Sequence, residues 1–151
     1  MTNLVKSFFS KPDLEAIEAA ITEVEKNTSG KLRVEIRQKR HRNEKSLSIE
    51  QIARREFVHL GMGKTHERNG VLLFLLLEEH QFYILADAHI HKKVNPDHWQ
   101  EIANSMSAKF SQKQFRDGII EAVRAAGKVL TAHYPHRTDD KNELSNDVVV
   151  N

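Results

Sequence analysis

Cysteine is absent from all 151 residues. This absence excludes a thiol nucleophile, a disulfide framework and any zinc or iron–sulfur site built on cysteine ligands. The sequence also lacks a phosphate-binding loop, a dinucleotide-binding glycine fingerprint and a Gly-x-Ser-x-Gly elbow. We therefore expect no nucleotide cofactor, because these short glycine-containing motifs are how such cofactors are usually held.

Long apolar stretches are missing as well. The longest apolar run, residues 71–77, is far shorter than the roughly 20 residues of a membrane-spanning helix, and residues 1–10 lack a signal-peptide core. We therefore expect a cytoplasmic protein that does not insert into a membrane. A near balance of 23 basic and 21 acidic residues argues against a general polyanion binder.

The apolar run at 71–77 follows the turn signal Asn69-Gly70 and has no polar side. As a strand it must be central in a sheet, with helices covering both of its faces. Residues 31–37 alternate between apolar and charged side chains, a pattern that predicts a second strand with one face in solvent. We place this second strand at the flank of the sheet.

A helix predicted from Ser48, with Gln51 completing a capping box, connects these two strands. Strand, helix and strand form a βαβ unit, so the two strands should run parallel. Only four residues, 78–81, separate the central strand from a third strand at 82–86, a gap that allows a hairpin but not a crossover. The predicted sheet is therefore mixed.

Further helix starts are predicted at the Ser10 cap, at Asn95-Pro96 and at a capping box formed by Ser111 and Gln114, the last helix ending before Tyr134-Pro135. The expected fold is α/β, a three-layer α/β/α sandwich around a small mixed sheet. Residues 1–135 should form a single domain. Residues 136–151 should be a polar C-terminal tail that is partly ordered at most, although the three valines at 148–150 could add an edge strand.

Asp87 is the strongest candidate ligand residue. The hairpin brings it to the sheet edge opposite the carboxyl ends of the parallel strands, beside the loop that carries the candidate cofactor-binding residues Arg68 and Asn69. Carboxylate and amide oxygens suit calcium or magnesium. The acidic tail could fold over this edge and supply further metal ligands, namely Asp139, Asp140 and Glu143. A role for Asp87 as an ordinary turn residue remains the alternative.

Two other polar groups carry weaker hypotheses. His89 and His91 lie close to Asp87 at a spacing that can hold zinc, although exposed loop histidines are the simpler interpretation. Residues 37–42 are rich in arginine and lysine and form either a solvated loop or a contact for nucleic-acid phosphates.

The order of the motifs, from about residue 17 to residue 149, resembles the TPM domain. The motifs that carry the resemblance are Thr28-Ser29-Gly30, a polar loop, a helix over 52–60, Arg68-Asn69-Gly70-Val71-Leu72, a hairpin into Ile84-Leu85-Ala86-Asp87, and Asn142-Glu143-Leu144. The chain is most similar to the short, stand-alone bacterial members that lack a signal and an anchor.

The resemblance implies an α/β/α sandwich and, from relatives, several activities: calcium or magnesium binding, weak acid phosphatase activity in a chloroplast relative, and a receptor accessory role in an animal relative. Members often carry glutamate where this chain has Lys31, and glycine where it has Ala86. Loss of that glutamate implies a modest metal affinity.

We therefore expect no catalytic residues and a non-catalytic module that binds a divalent cation, calcium or magnesium, or acts as an accessory to a protein partner. A weak metal-dependent phosphatase is the alternative, and nucleic-acid contact through residues 37–42 is a further alternative.

Overall fold

The computed structural model describes residues 3–65, 67–137 and 144–151. Its helices are α1 (Asn3–Phe8), α2 (Lys11–Glu25), α3 (Ile49–His59), α4 (Ala88–His91), α5 (Pro96–Ser111) and α6 (Phe115–His133). Its strands are β1 (Lys31–Arg37), β2 (Gly70–Leu76), β3 (Gln81–Ala86) and β4 (Val149–Val150). Within these residues, no helix combines the length and the apolar character that crossing a bilayer requires.

The strands form one mixed sheet in the order β3-β2-β1-β4. β1 runs parallel to β2 in a register that pairs Lys31 with Gly70, and β2 runs antiparallel to β3. The βαβ unit and the hairpin are thus confirmed. Every residue of β2 is buried, as predicted for a strand without a polar side.

Helices cover both faces of the sheet, which confirms the α/β/α sandwich. On one face, α2, α5 and α6 bury the larger apolar core against the even-numbered side chains of β1. On the other face, α3 buries Ile52, Ala53 and Phe57 against Leu72, Phe74 and Leu76 of β2. The alternation of side chains along a strand explains why each core receives every second residue.

Three of the four predicted helix starts are confirmed by their caps. Ser10 and Ser48 each form a capping box with the residue three positions on, and Asn95 caps α5 in front of Pro96. The predicted box at Ser111 and Gln114 is wrong. Ser111 is the last residue of α5, and the amides of Lys113 and Gln114 donate to Phe110 O and Lys109 O, so the end of the preceding helix uses these residues.

The predicted position and exposure of β1 are also wrong. β4 pairs with its outer edge, where Glu35 lies opposite Val149, so β1 is an inner strand. The backbone of Asn151 adds two hydrogen bonds, donating to Ile36 O and accepting from Gln38 N. The charged face of β1 is buried too, with Glu35 at 0% and Arg37 at 1% exposure. α3 and the 3-10 turn Arg42–Glu44 bring side chains over this face that single-strand periodicity cannot reveal.

Candidate functional site

Asp87 follows the end of β3, at the end of the sheet opposite the β2–β3 turn, and is buried, with only 4% of its surface exposed. Its backbone N–H donates to Gly70 O at 2.9 Å, which ties the end of β3 to the start of β2. Its Oδ1 accepts a hydrogen bond from His89 N at 3.2 Å and caps the short helix α4. One carboxylate oxygen therefore caps a helix, which agrees with the alternative interpretation of Asp87 as a turn residue.

The second oxygen of Asp87 pairs with Arg68, whose Nε lies 3.3 Å from Oδ2. The Arg68 side chain is 51% exposed, whereas that of Asp87 is 2% exposed. Arg68 also has a left-handed backbone with φ 55°, a conformation that costs a residue with a side chain about 1–2 kcal/mol. The structure thus brings two of the predicted site residues into contact, with the carboxylate inside and the cation at the surface.

The Asn69 side chain belongs to a neighbouring polar group. It is buried, and its Nδ2 donates to Ser29 Oγ at 3.3 Å and to Glu67 Oε2 at 3.2 Å. Ser29 Oγ donates to the same Glu67 oxygen at 2.8 Å, and Arg137 pairs with the other one. A cavity of about 380 Å³ adjoins this group. The Asn69 carbonyl accepts from Lys31 N at 3.3 Å, so Lys31 also starts at this edge.

The described part of this edge offers few metal ligands. Among the described residues, no group of three or more histidine, aspartate or glutamate side chains could hold a metal, and His89 and His91 lie exposed on α4. The predicted ligands Asp139, Asp140 and Glu143 lie outside the described residues. In the described chain, Asp87 and Glu67 are the carboxylates at this edge, and the oxygens of Glu67 already bond with Ser29, Asn69 and Arg137. Magnesium is commonly bound through one or two carboxylates while it keeps several waters.

A second charged cluster, which the sequence did not predict, surrounds Arg37 at the end of β1. Its guanidinium contacts Glu44 Oε1 at 2.6 Å, Glu56 Oε1 at 2.5 Å and Glu35 Oε2 at 3.3 Å, and it lies 5.2 Å from the Phe74 ring centre. Burial lowers the pKa of Arg37, but the interactions with the three glutamates raise it by more, so the pKa lies above its usual value. This arginine is a fixed internal cation.

Glu35 is the most strongly perturbed carboxyl of this Arg37 cluster. Burial and the neighbouring Glu56 carboxylate raise its pKa from 4.5 to about 7, although Asn151 Nδ2 donates to its Oε2 at 3.1 Å. One signal for the cluster exists in the sequence: Glu56 follows Ile52 by four residues and Ala53 by three, which places it on the buried stripe of α3.

The cluster changes the interpretation of the basic segment 37–42. Arg37 is neutralised internally, and Arg40 pairs with Glu79 at 2.5 Å while donating to Glu44 O at 2.9 Å. Lys39 and Arg42 are exposed and form no ion pair with any residue that the structure describes. Much of the positive charge in this segment is therefore used within the fold.

Comparison with known proteins gives a consistent picture. The family model of the TPM domain matches residues 5–129. The NMR structure of the BA42 protein from the psychrophilic bacterium Bizionia argentinensis is similar, with 30% sequence identity and a TM-score of 0.86 over 95% of this chain and 96% of that chain. No functionally curated protein matches the chain. With the fold, the motif order and the match over residues 5–129 in agreement, the chain belongs to the TPM domain family.

Proposed function

We propose that this TPM domain is a non-catalytic binding module that takes a divalent cation, calcium or magnesium, at the edge of the sheet where β3 ends, with Asp87 as the principal ligand. One observation carries the proposal. Asp87 is a buried carboxylate, and within the described part of the chain its sole ion-pair partner is the half-exposed Arg68. A buried carboxylate is stabilised by a cation beside it. Because Arg68 is half-exposed, a cation from solvent can take its place.

Arg68 competes with the ion for the Asp87 carboxylate. Ion pairs between solvent-exposed groups contribute about 0–1 kcal/mol, and the Arg68 side of this pair is half-exposed, so we expect a divalent ion to replace the guanidinium at small cost. Because Asp87 is one carboxylate and its Oδ1 already caps α4, water must complete the coordination. We therefore expect a dissociation constant of roughly 10⁻⁴ to 10⁻³ M, the range of sites with few charged ligands.

The rest of the molecule supports binding without catalysis. A metal-dependent phosphatase would bring several carboxylates around an ion or activate a nucleophile in the same cleft. The one concentrated set of carboxylates in the described chain, Glu35, Glu44 and Glu56, surrounds the Arg37 guanidinium. That guanidinium takes up the negative charge that a metal would otherwise meet.

The test is an amide chemical-shift titration with calcium chloride and with magnesium chloride. In wild type we expect millimolar binding with the largest shifts in residues 68–70 and 86–91. Asp87→Asn should lose these shifts. Arg68→Gly should bind about fivefold more tightly, because it removes a competitor worth up to about 1 kcal/mol, and glycine suits its left-handed backbone.

Arg68→Lys is the matched control, because it keeps the charge and the backbone strain and should bind like wild type. Equal binding by wild type and Asp87→Asn places the ion elsewhere and refutes the proposed ligand. A wild type that shows no shifts at tens of millimolar ion, in either salt, refutes cation binding.

The tail carboxylates form a separate arm of the test. We propose Asp139, Asp140 and Glu143 as second contributors because a hard cation prefers several oxygen ligands. Asp139→Asn, Asp140→Asn and Glu143→Gln, combined in one chain, should weaken binding by a few fold. An unchanged dissociation constant would limit the ligands to the sheet edge.

A further inference from the structure

Five of the seven phenylalanines line one cavity of about 560 Å³. It lies where α1, the turn between β2 and β3, the end of α5 and the start of α6 meet. Phe8 and Phe115 have ring centres 4.5 Å apart, Phe110 and Phe115 lie 5.6 Å apart, and Phe82 and Phe110 lie 5.7 Å apart. The contacts are tilted or edge-to-face, so the rings form a connected apolar wall.

Burial is graded across this aromatic cavity. Phe9, Leu75 and Leu77 form its deep part and are at most 6% exposed. Phe8, Phe82, Phe110 and Phe115 are half-buried and stand around it. Four partly exposed phenylalanine rings around one cavity give it an aromatic lining, and small-molecule sites are usually lined by hydrophobic and aromatic side chains.

The mouth of the cavity is polar and carries positive charge without negative charge. Its exposed lining residues are Ser7, His80, Gln81, Ser107, Ser111 and Lys113, and no aspartate or glutamate is among the lining residues. Lys113 and His80 both have left-handed backbones, with φ 62° and 53°. Glycine would suit both positions better, so each side chain is kept at a conformational cost.

From this arrangement we infer that the aromatic cavity binds an unbranched aliphatic monocarboxylate of the fatty-acid type. The volume lies within the roughly 300–1,000 Å³ range of small-molecule sites, and the apolar wall matches an aliphatic tail. Lys113 at the mouth can form an ion pair with a single carboxylate, and the serines and Gln81 can donate hydrogen bonds to that carboxylate. A single lysine does not match a polyphosphate.

This inference is independent of the proposed cation site. The cavity adjoins the end of β2 and the start of β3, whereas Asp87 follows the end of β3 at the opposite edge of the sheet. None of the residues that line the cavity belongs to the cation site. Failure of either binding test therefore leaves the other unaffected.

The experiment compares three probes of equal length, octanoate, 1-octanol and octylammonium, by chemical-shift titration at pH 8. Lys113 is the one lysine or arginine among the residues that line the cavity. We expect octanoate to bind about fivefold more tightly than octanol, the gain of a partly exposed ion pair, and octylammonium to bind most weakly. The largest shifts should fall on residues 8–9, 80–82 and 110–115.

Two variants and one control sharpen the result. Lys113→Gly should fold well, because glycine suits φ 62°, and should reduce octanoate binding to the level of octanol while leaving octanol unchanged. Ser107→Trp should fill the mouth and abolish binding of both probes. Lys64→Ala, an exposed lysine away from the cavity, should behave like wild type.

Two outcomes overturn the inference. If octanoate and octanol bind equally to wild type, the mouth does not recognise a carboxylate. If Ser107→Trp, shown to be folded by circular dichroism, binds octanoate as wild type does, the ligand does not enter the cavity.

Discussion

The buried ion pairs at the two ends of the sheet differ in which partner is inside. At the Arg37 cluster the cation is buried, and three carboxylates from β1, α3 and a 3-10 turn surround it. At the other end the carboxylate of Asp87 is buried, and its partner Arg68 is half-exposed on a loop.

This difference is the basis on which we propose cation exchange at Asp87 and not at the Arg37 cluster. A buried charge held by several partners from different elements cannot change partner without opening the core, and removing it leaves the partners unpaired. A buried charge held by one exposed partner can accept another cation from solvent. The comparison explains why we place ligand binding at Asp87 even though the Arg37 cluster has more carboxylates.

The largest expected effect is that of Arg37→Met. Removing the internal cation should lower the free energy of unfolding by about 3–5 kcal/mol, because buried carboxylates are left uncompensated. Urea unfolding measures this change. Arg54→Met, which breaks the exposed pair between Arg54 and Glu50 on the same layer, is the control and should cost less than about 0.5 kcal/mol. Equal losses would mean that the Arg37 cluster is not the fixed site.

The pH dependence of stability should reveal Glu35. Its pKa is about 7 when folded against 4.5 as the ordinary value, so folding takes up a proton between these values. The stability that Glu35 contributes is complete below about pH 4.5 and is lost as pH rises through about 7. This contribution should fall by roughly 2–3 kcal/mol between pH 5 and pH 8.

Glu35→Gln isolates this contribution from those of all other titratable groups. The variant keeps a neutral side chain, so it should match wild type near pH 5 and be more stable than wild type at pH 8. Thermal unfolding at both values of pH checks the prediction. A difference between the two proteins that does not change with pH would rule out proton uptake by Glu35.

Asp87→Asn should have a smaller effect, about 1 kcal/mol of destabilisation. Asparagine can still cap α4 through its side-chain oxygen, and the Arg68 that loses its partner is already half in solvent. Chemical unfolding without added cation measures the change. A loss near that of Arg37→Met would show that Asp87 is as deeply integrated as the Arg37 cluster and would weaken the comparison.

Arg68→Gly should have the smallest effect on stability, less than about 1 kcal/mol in either direction. The lost pair with Asp87 and the relief of the left-handed backbone are of similar size and opposite sign. The same variant should gain more thermal stability from millimolar calcium than wild type does, because ligand binding to the folded state stabilises it. A smaller gain would show that Arg68 does not compete with the ion.

Local patterns predicted much of the fold. The apolar run of β2 indicated a strand buried on both faces, and the capping boxes at Ser10 and Ser48 marked true helix starts. The short gap before β3 was enough to predict the hairpin and so to bring Asp87 beside the loop of Arg68. Each of these signals depends on residues that lie close together in the chain.

Other features required contacts between distant segments. The alternation in β1 indicated a solvent-facing side, yet Glu56 lies 21 residues after Glu35 and Asn151 lies 116 residues after it, and together they bury that side. The predicted box at Ser111 failed because the end of α5 uses the same residues. No local pattern distinguishes an exposed charged face from one that a later segment covers.

By itself, the sequence determined the order of helices and strands, the mixed character of the sheet and the edge at which Asp87 lies, because hydrophobic periodicity, caps and loop lengths act over a few residues. Only the tertiary structure decided that Arg37 is an internal cation, that Arg68 is a half-exposed one and that five phenylalanines meet around one cavity. Burial and pairing of a charge depend on which distant segments pack over it, and that is a property of the whole fold.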